Sequence, residues 1–211
     1  MFLAICCLTA CQTLPDPSKP QQSTSDISSE GKWLRDSEYF DVSLNDYRLR
    51  NTWQLTGKVG VKTSELNESA NIVWKFSDQS NQLRMFGPLG AGAIKLDFDR
   101  YGVQLSDNKG VLHRGNSAEQ LLTNIVGWPI PIEALKYWLF ALPNPEHVFE
   151  YQLNPQGQLS LLRQLGWQID YSGYKTSGSN KPSLPRRLTA VKRLSNGQAI
   201  TVKLIAKAWQ W

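Results

Sequence analysis

The chain has 211 residues, with 23 basic against 18 acidic side chains for a net charge of +5, eight tryptophans, three cysteines and two histidines. That length allows one substantial hydrophobic core. The three cysteines, all within the first eleven residues, exclude a disulfide scaffold, and no apolar run approaches the roughly 20 residues a spanning helix requires.

The apolar run Met1 to Leu8 leads into Leu8-Thr9-Ala10-Cys11, which reads as a bacterial lipobox. Cleavage before Cys11 would load its thiol with diacylglycerol and its new amine with a third acyl chain. Each buried methylene contributes about 0.8 kcal/mol, so three chains hold a domain on a bilayer almost irreversibly. Cys6 and Cys7 leave with the signal, so the mature fold must stand on packing alone. No Lys or Arg precedes the apolar run, so the expected start codon lies upstream. Gln12 stands where Asp would mark inner-membrane retention, which points to the outer membrane. The bland alternative is an ordinary secretory signal with a chance cysteine. The expected organisation is residues 1–10 as signal peptide, 11–31 as a flexible lipidated tether rich in Pro, Ser and Gln, and 32–211 as one domain.

The spacing of Trp33, Phe40, Leu44 and Tyr47 predicts an amphipathic helix over Lys32 to Leu49. The period then becomes two. Trp53, Leu55, Val59 and Val61 alternate with polar residues, followed by Ile72, Trp74 and Phe76, by Leu83 and Met85, and by Ile94, Leu96 and Phe98. Val103 and Leu105 run up to the turn Asp107-Asn108-Lys109-Gly110. Short strands broken by Gly, Asn and Asp predict an antiparallel meander. Ser117-Ala118-Glu119-Gln120 reads as a capping box that opens a helix with Leu121, Leu122, Ile125 and Val126 on its apolar face, ended by Gly127. Ile132 to Ala141 predicts a second helix. Strands resume over Phe149 to Leu153, Leu159 to Arg163 and Gly166 to Ser172, and a polar loop is expected over Ser172 to Pro185. Arg186 to Leu194 and Gln198 to Ala208 form the last hairpin, joined by Asn196-Gly197. The predicted fold is mainly β: an antiparallel sheet of about eleven strands, curled into an incomplete barrel, with helices covering the opening and an apolar cavity inside.

No catalytic constellation emerges. His113 and His147 lack metal-motif spacing, and there is no nucleophile elbow or phosphate loop. Asp97 and Asp99 read as a solvated strand end. The basic residues crowd towards the C-terminus (Lys181, Arg186, Arg187, Lys192, Arg193, Lys203 and Lys207), either as a solvated strand face or as a surface for anionic lipid or an acidic protein. In Phe86-Gly87-Pro88-Leu89-Gly90-Ala91-Gly92 the backbone calls for a protruding turn, yet Leu89 sits where a polar residue would be cheap. It either folds back onto the core or forms an exposed apolar tip.

The lipobox, Leu55-Thr56-Gly57, Phe86-Gly87-Pro88-Leu89-Gly90-Ala91, Asp107-Asn108-Lys109-Gly110, Gly127-Trp128-Pro129-Ile130-Pro131, Leu142-Pro143 and the Gly166-to-Tyr174 segment resemble the LolB family of outer-membrane lipoprotein receptors. The resemblance implies a protein that takes lipoproteins from the periplasmic carrier LolA and places them in the outer membrane, without enzymatic chemistry, nucleotide, cofactor or metal. It implies lipidation at Cys11 and membrane insertion through Pro88, Leu89 and Gly90. The candidate acyl-chain lining is Leu55, Val59, Ile72, Trp74, Leu83, Ile94, Leu96, Trp167, Ile169, Val202 and Leu204, with Leu121, Ile125 and Trp138 from the cover. Arg186, Arg187, Lys192 and Arg193 are the candidate carrier-docking residues. The expected partners are LolA, triacylated lipoprotein and outer-membrane phospholipid; nucleic acid is not expected, and the domain is expected to be a monomer. The alternative is an envelope lipoprotein whose sheet binds acyl chains as a structural or sensory module without delivering them. A lipid hydrolase would need a nucleophile–base pair that the chain does not offer.

Overall fold

The computed structural model describes residues 32–35, 39–40, 51–90, 92–176 and 183–211, with the Leu89 side chain excepted. The signal, the tether and the Leu44–Tyr47 part of the first predicted helix lie outside the described residues.

Eleven strands form one antiparallel sheet, in the order β6-β5-β4-β3-β2-β1-β13-β12-β9-β8-β7. They are β1 (Thr52–Lys62), β2 (Asn67–Ser77), β3 (Asn81–Phe86), β4 (Ile94–Asp99), β5 (Gly102–Ser106), β6 (Leu112–Gly115), β7 (Phe149–Leu153), β8 (Leu159–Gln164), β9 (Trp167–Ser172), β12 (Arg187–Arg193) and β13 (Ala199–Gln210). A separate ladder pairs β10 (Lys175–Thr176) with β11 (Ser183–Leu184). The end strands β6 and β7 do not pair, so the sheet is not closed into a barrel. Inward side chains from β1 to β5, β7 to β9, β12 and β13 nevertheless share one core with the inserted helices, because the sheet curls around them.

Alternation drives this. In β1, Trp53, Leu55, Gly57, Val59 and Val61 are all buried, and their neighbours are not. Between Thr56 and Gly57 the pairing with β13 slips by one residue, leaving Lys207 unpaired. This bulge re-phases β13, so that Val202, Leu204 and Ala206 point inward below it and Trp209 does so above it. A Cβ at Gly57 would lie 2.2 Å from the Ile205 carbonyl oxygen, so only glycine permits the bulge.

The cover consists of a short helix α1 (Ala118–Leu121), a π turn (Leu122–Val126) and a second helix α2 (Ile132–Trp138). Ser117 Oγ accepts from the Gln120 backbone N–H at 3.2 Å, the expected cap. Gly127, at φ 76°, ends the π turn. The turn also corrects one reading: the 3.6-residue period placed Ile125 on the apolar face, but the wider π turn keeps Leu122 inside and swings Ile125 out to solvent.

Three other expectations change. Residues 32–35 are not helical: Leu34 bridges Tyr151 antiparallel, its N–H donating to the Tyr151 carbonyl at 2.8 Å and its carbonyl accepting the Tyr151 N–H at 2.9 Å. This pairing blunts the free edge of β7. Tyr39 and Phe40 are helical, and Phe40 is fully buried edge-on against Phe149 and Tyr151. β6 is a strand in addition to those named from the sequence. The loop expected over Ser172 to Pro185 contains the β10–β11 ladder, anchored by buried Leu184.

Candidate functional site

The concave face is largely apolar, with Gln164 and Lys192 among its polar members. Of the fourteen lining candidates, Leu55, Val59, Ile72, Trp74, Leu83, Leu96, Trp138, Trp167, Ile169, Val202 and Leu204 are buried, whereas Ile94 and Leu121 are half-buried against the same core. The hollow inside the sheet is occupied by the cover: Leu122, Ile130, Ile132, Leu135, Trp138 and Leu139 are buried in the same cluster. At one end Trp53, Phe76, Phe140, Trp209 and Trp211 form a chain of ring contacts, including parallel stacks of Trp53 on Phe76 at 5.0 Å and Trp209 on Trp211 at 5.4 Å. The buried Trp53 Nε1, Trp74 Nε1 and Tyr171 hydroxyl have no hydrogen-bond partner among the described residues. Burial pushes the Tyr171 hydroxyl well above the ordinary tyrosine range.

The cover is fastened at two polar points. Gln164, buried at the end of β8, accepts on Oε1 from Trp138 Nε1 at 2.9 Å and from the Asn144 backbone N–H at 2.8 Å. Its Nε2 donates to the carbonyls of Asn144 at 2.8 Å and His147 at 3.1 Å. Every hydrogen-bonding direction of that amide joins the sheet to α2 or to the following loop. At the second point, Trp128 Nε1 donates to Glu68 on β2 at 3.2 Å. The sequence reading missed Gln164; its one signal is a polar residue two positions after Leu162, in a strand whose alternation is broken by the adjacent Leu161 and Leu162.

Strand directions place six connections on one rim of the sheet: residues 63–66, the Pro88–Gly90 turn, 107–111, 143–148, 165–166 and 194–198. Pro88–Gly90 forms a single 3-10 turn, with Pro88 and Gly90 exposed and Gly90 at φ 82°. Where the Leu89 side chain goes lies outside the described residues.

The four docking candidates do not form one patch. Arg187 and Arg193 stand six residues apart on β12, roughly 20 Å along the strand. Arg186 and Arg187 lie near the opposite rim, beside Gly173. Lys192 has inward parity, with its ammonium 5.8 Å from the centre of the Trp167 ring and its charge acting on Glu119 of α1. Arg193 borders an open groove of about 880 Å³ that also includes Arg35, Arg163, Val148, Leu165 and Trp167. Asp97 pairs with Lys95 at 2.8 Å, and Asp99 caps the Tyr101 and Gly102 N–H groups. Neither acts as half of a carboxylate pair. Among the described residues, no three His, Cys, Asp or Glu side chains cluster as metal ligands would.

Residues 51–209 match the family model described as outer membrane lipoprotein LolB. The chain belongs to the LolB family. Among its relatives, the outer-membrane lipoprotein LolB of Francisella tularensis subsp. tularensis (strain WY96-3418) is 34% identical over 158 residues, covering 75% of this chain and 73% of the relative. The LolB of Chromohalobacter salexigens is 32% identical over 176 residues, covering 83% and 78%. A crystal structure of a domain assigned as an outer-membrane lipoprotein-sorting protein, from Vibrio parahaemolyticus, superposes with a TM-score of 0.50 at 10% identity, covering 79% of this chain and 89% of that one. At that identity the likeness speaks for the fold alone. Gly57, the Pro88–Gly90 turn, the Asp107 turn and Gln164 all fall inside the segment matched by the LolB model.

Proposed function

We propose that this protein is an outer-membrane lipoprotein, anchored through acylated Cys11 and facing the periplasm, that accepts lipoproteins from a LolA-type carrier and incorporates them into the outer membrane by binding alone. One observation carries the reading: an eleven-stranded sheet with a largely apolar inner face is covered, among the described residues, by two short helices and a π turn. A hydrocarbon ligand has a prepared site as soon as that cover lifts.

The energetics suit this role. A chain of about a dozen methylenes gains about 10 kcal/mol on burial, so cargo does not cross water unaided. Without nucleotide energy, each tenfold bias in the handover requires about 1.4 kcal/mol of differential affinity, and a better-matched apolar face supplies it. Arg186 and Arg187 are the cations offered to an acidic carrier, and Leu89 enters the bilayer during delivery.

The test is to mix the protein with a carrier–lipoprotein complex and vesicles. Cargo should move to this protein and then to the vesicles. Leu89→Glu should fold with an unchanged melting temperature while delivery falls at least tenfold. Cargo remaining on the carrier would overturn the reading. Capture without delivery would favour the sensory module.

A further inference from the structure

The rim that carries the Pro88–Gly90 turn also presents apolar side chains on three other connections. Val111 and Leu112, at the β5–β6 hairpin, are 50% and 46% exposed. Leu165 forms the two-residue β8–β9 turn with Gly166 and is 40% exposed; Val148, lining the same groove, is 93% exposed. Leu165 sits at φ 54° and Gly166 at φ 75°. Such a turn favours Asn-Gly, because an L side chain with a branched apolar body is strained in the left-handed region. A leucine kept both strained and half in water is doing something other than stabilising the turn.

Cations gather beside these tips. Lys109 lies in the turn before Val111, and Arg163 and Arg193 border Leu165 and Val148. Two of the carboxylates among them are engaged: Glu150 pairs with Arg35 and Arg163, and Asp107 is turned onto its own hairpin. Glu146, two residues before Val148, and Glu65 also lie on this rim. The rung Arg84–Lys95–Ser106–Leu112 places the β5–β6 tip three strands, roughly 14 Å, from β3, with the Pro88–Gly90 turn between.

We infer that Val111–Leu112 and Leu165, with Val148, are additional bilayer contacts, so that the domain stands with this rim on the membrane surface. The inference rests on the proposed membrane role of the Leu89 loop. A protein partner would meet a continuous patch, whereas these tips are one or two apolar residues on separate connections with cations beside them. A fluid lipid surface accepts points at uneven heights, and its phosphates complement the neighbouring Lys and Arg.

The experiment places benzoylphenylalanine singly at Leu89, Leu112, Leu165 and Tyr101 in the full acylated chain, reconstituted in vesicles of phosphatidylethanolamine and phosphatidylglycerol that carry a radiolabelled phospholipid. Tyr101, 81% exposed on the opposite rim, is the control. Photolysis should give phospholipid adducts at 112 and 165 at least fivefold above those at 101. Adducts at 89 with none above control at 112 and 165 would overturn this inference and leave the loop reading standing. Adducts at none of the three would overturn both. Adducts at 112 and 165 to an added carrier protein in place of lipid would also overturn the inference, by making this rim a docking face.

Discussion

At the scale of single residues, the two ends of one turn carry opposite instructions. Gln164 satisfies four hydrogen bonds in the core, whereas Leu165, its neighbour, satisfies nothing locally and sits in the left-handed region. Gln164→Leu would orphan the Trp138 indole N–H and the Asn144 backbone N–H, while the Asn144 carbonyl keeps the His147 N–H at 3.2 Å. At roughly 1–3 kcal/mol for each orphaned group, the loss should be at least ~2 kcal/mol in denaturant unfolding. Leu165→Asn should do the reverse, stabilising the protein by about 0.5–1 kcal/mol in the same measurement because asparagine accepts the left-handed geometry. Gln164 left little trace in the sequence, because the adjacent Leu161 and Leu162 break the alternation of β8. Leu165 left none, because its strain exists only once the hairpin is tight.

Among the elements, those with turn chemistry were readable and those defined by partners were not. Asn196-Gly197 and Asp107 to Gly110 mark their hairpins unambiguously. β6 escaped because Leu112-His113-Arg114-Gly115 does not alternate; it is a strand only because β5 offers it a ladder. Residues 32–35 show apolar spacing compatible with a helix, but the open edge of β7 takes Leu34 as a bridge. The Asp107 hairpin makes its own prediction. The Asp107 carboxyl is held below its ordinary value of 3.8 by its hydrogen bond with His113, against a burial effect, and further by the Val111 and Lys109 N–H groups. A carboxyl depressed on folding contributes stability above its unfolded pKa, and that contribution is lost as pH falls through the folded value. The protection factors of the amides in residues 107–113, exchange rates divided out by their intrinsic pH dependence, should therefore be highest above about pH 4 and should fall as pH drops further. Asp107→Asn should remove that extra dependence.

For the whole molecule, alternation revealed a curled antiparallel sheet, and its apolar inner face was legible from the same pattern. What could not be read was how tightly the cover fills the hollow, since inward leucines and tryptophans look the same whether they meet a helix or an acyl chain. A lock tests which state binds. The Leu121 side chain comes within 3.4 Å of where a Cβ on Gly115 would lie, so Gly115→Cys with Leu121→Cys can bridge the cover to β6. The oxidised form should lose lipoprotein uptake at least tenfold in the handover assay, and reduction should restore it.

Because β6 and β7 never pair, no continuous ring of backbone hydrogen bonds sets the girth of this molecule. A sealed barrel could widen only by tearing a ladder. Here the two margins can drift apart like the lips of a purse while every strand keeps its neighbour, so under the proposed function cargoes with tails of different bulk need no separate receptor.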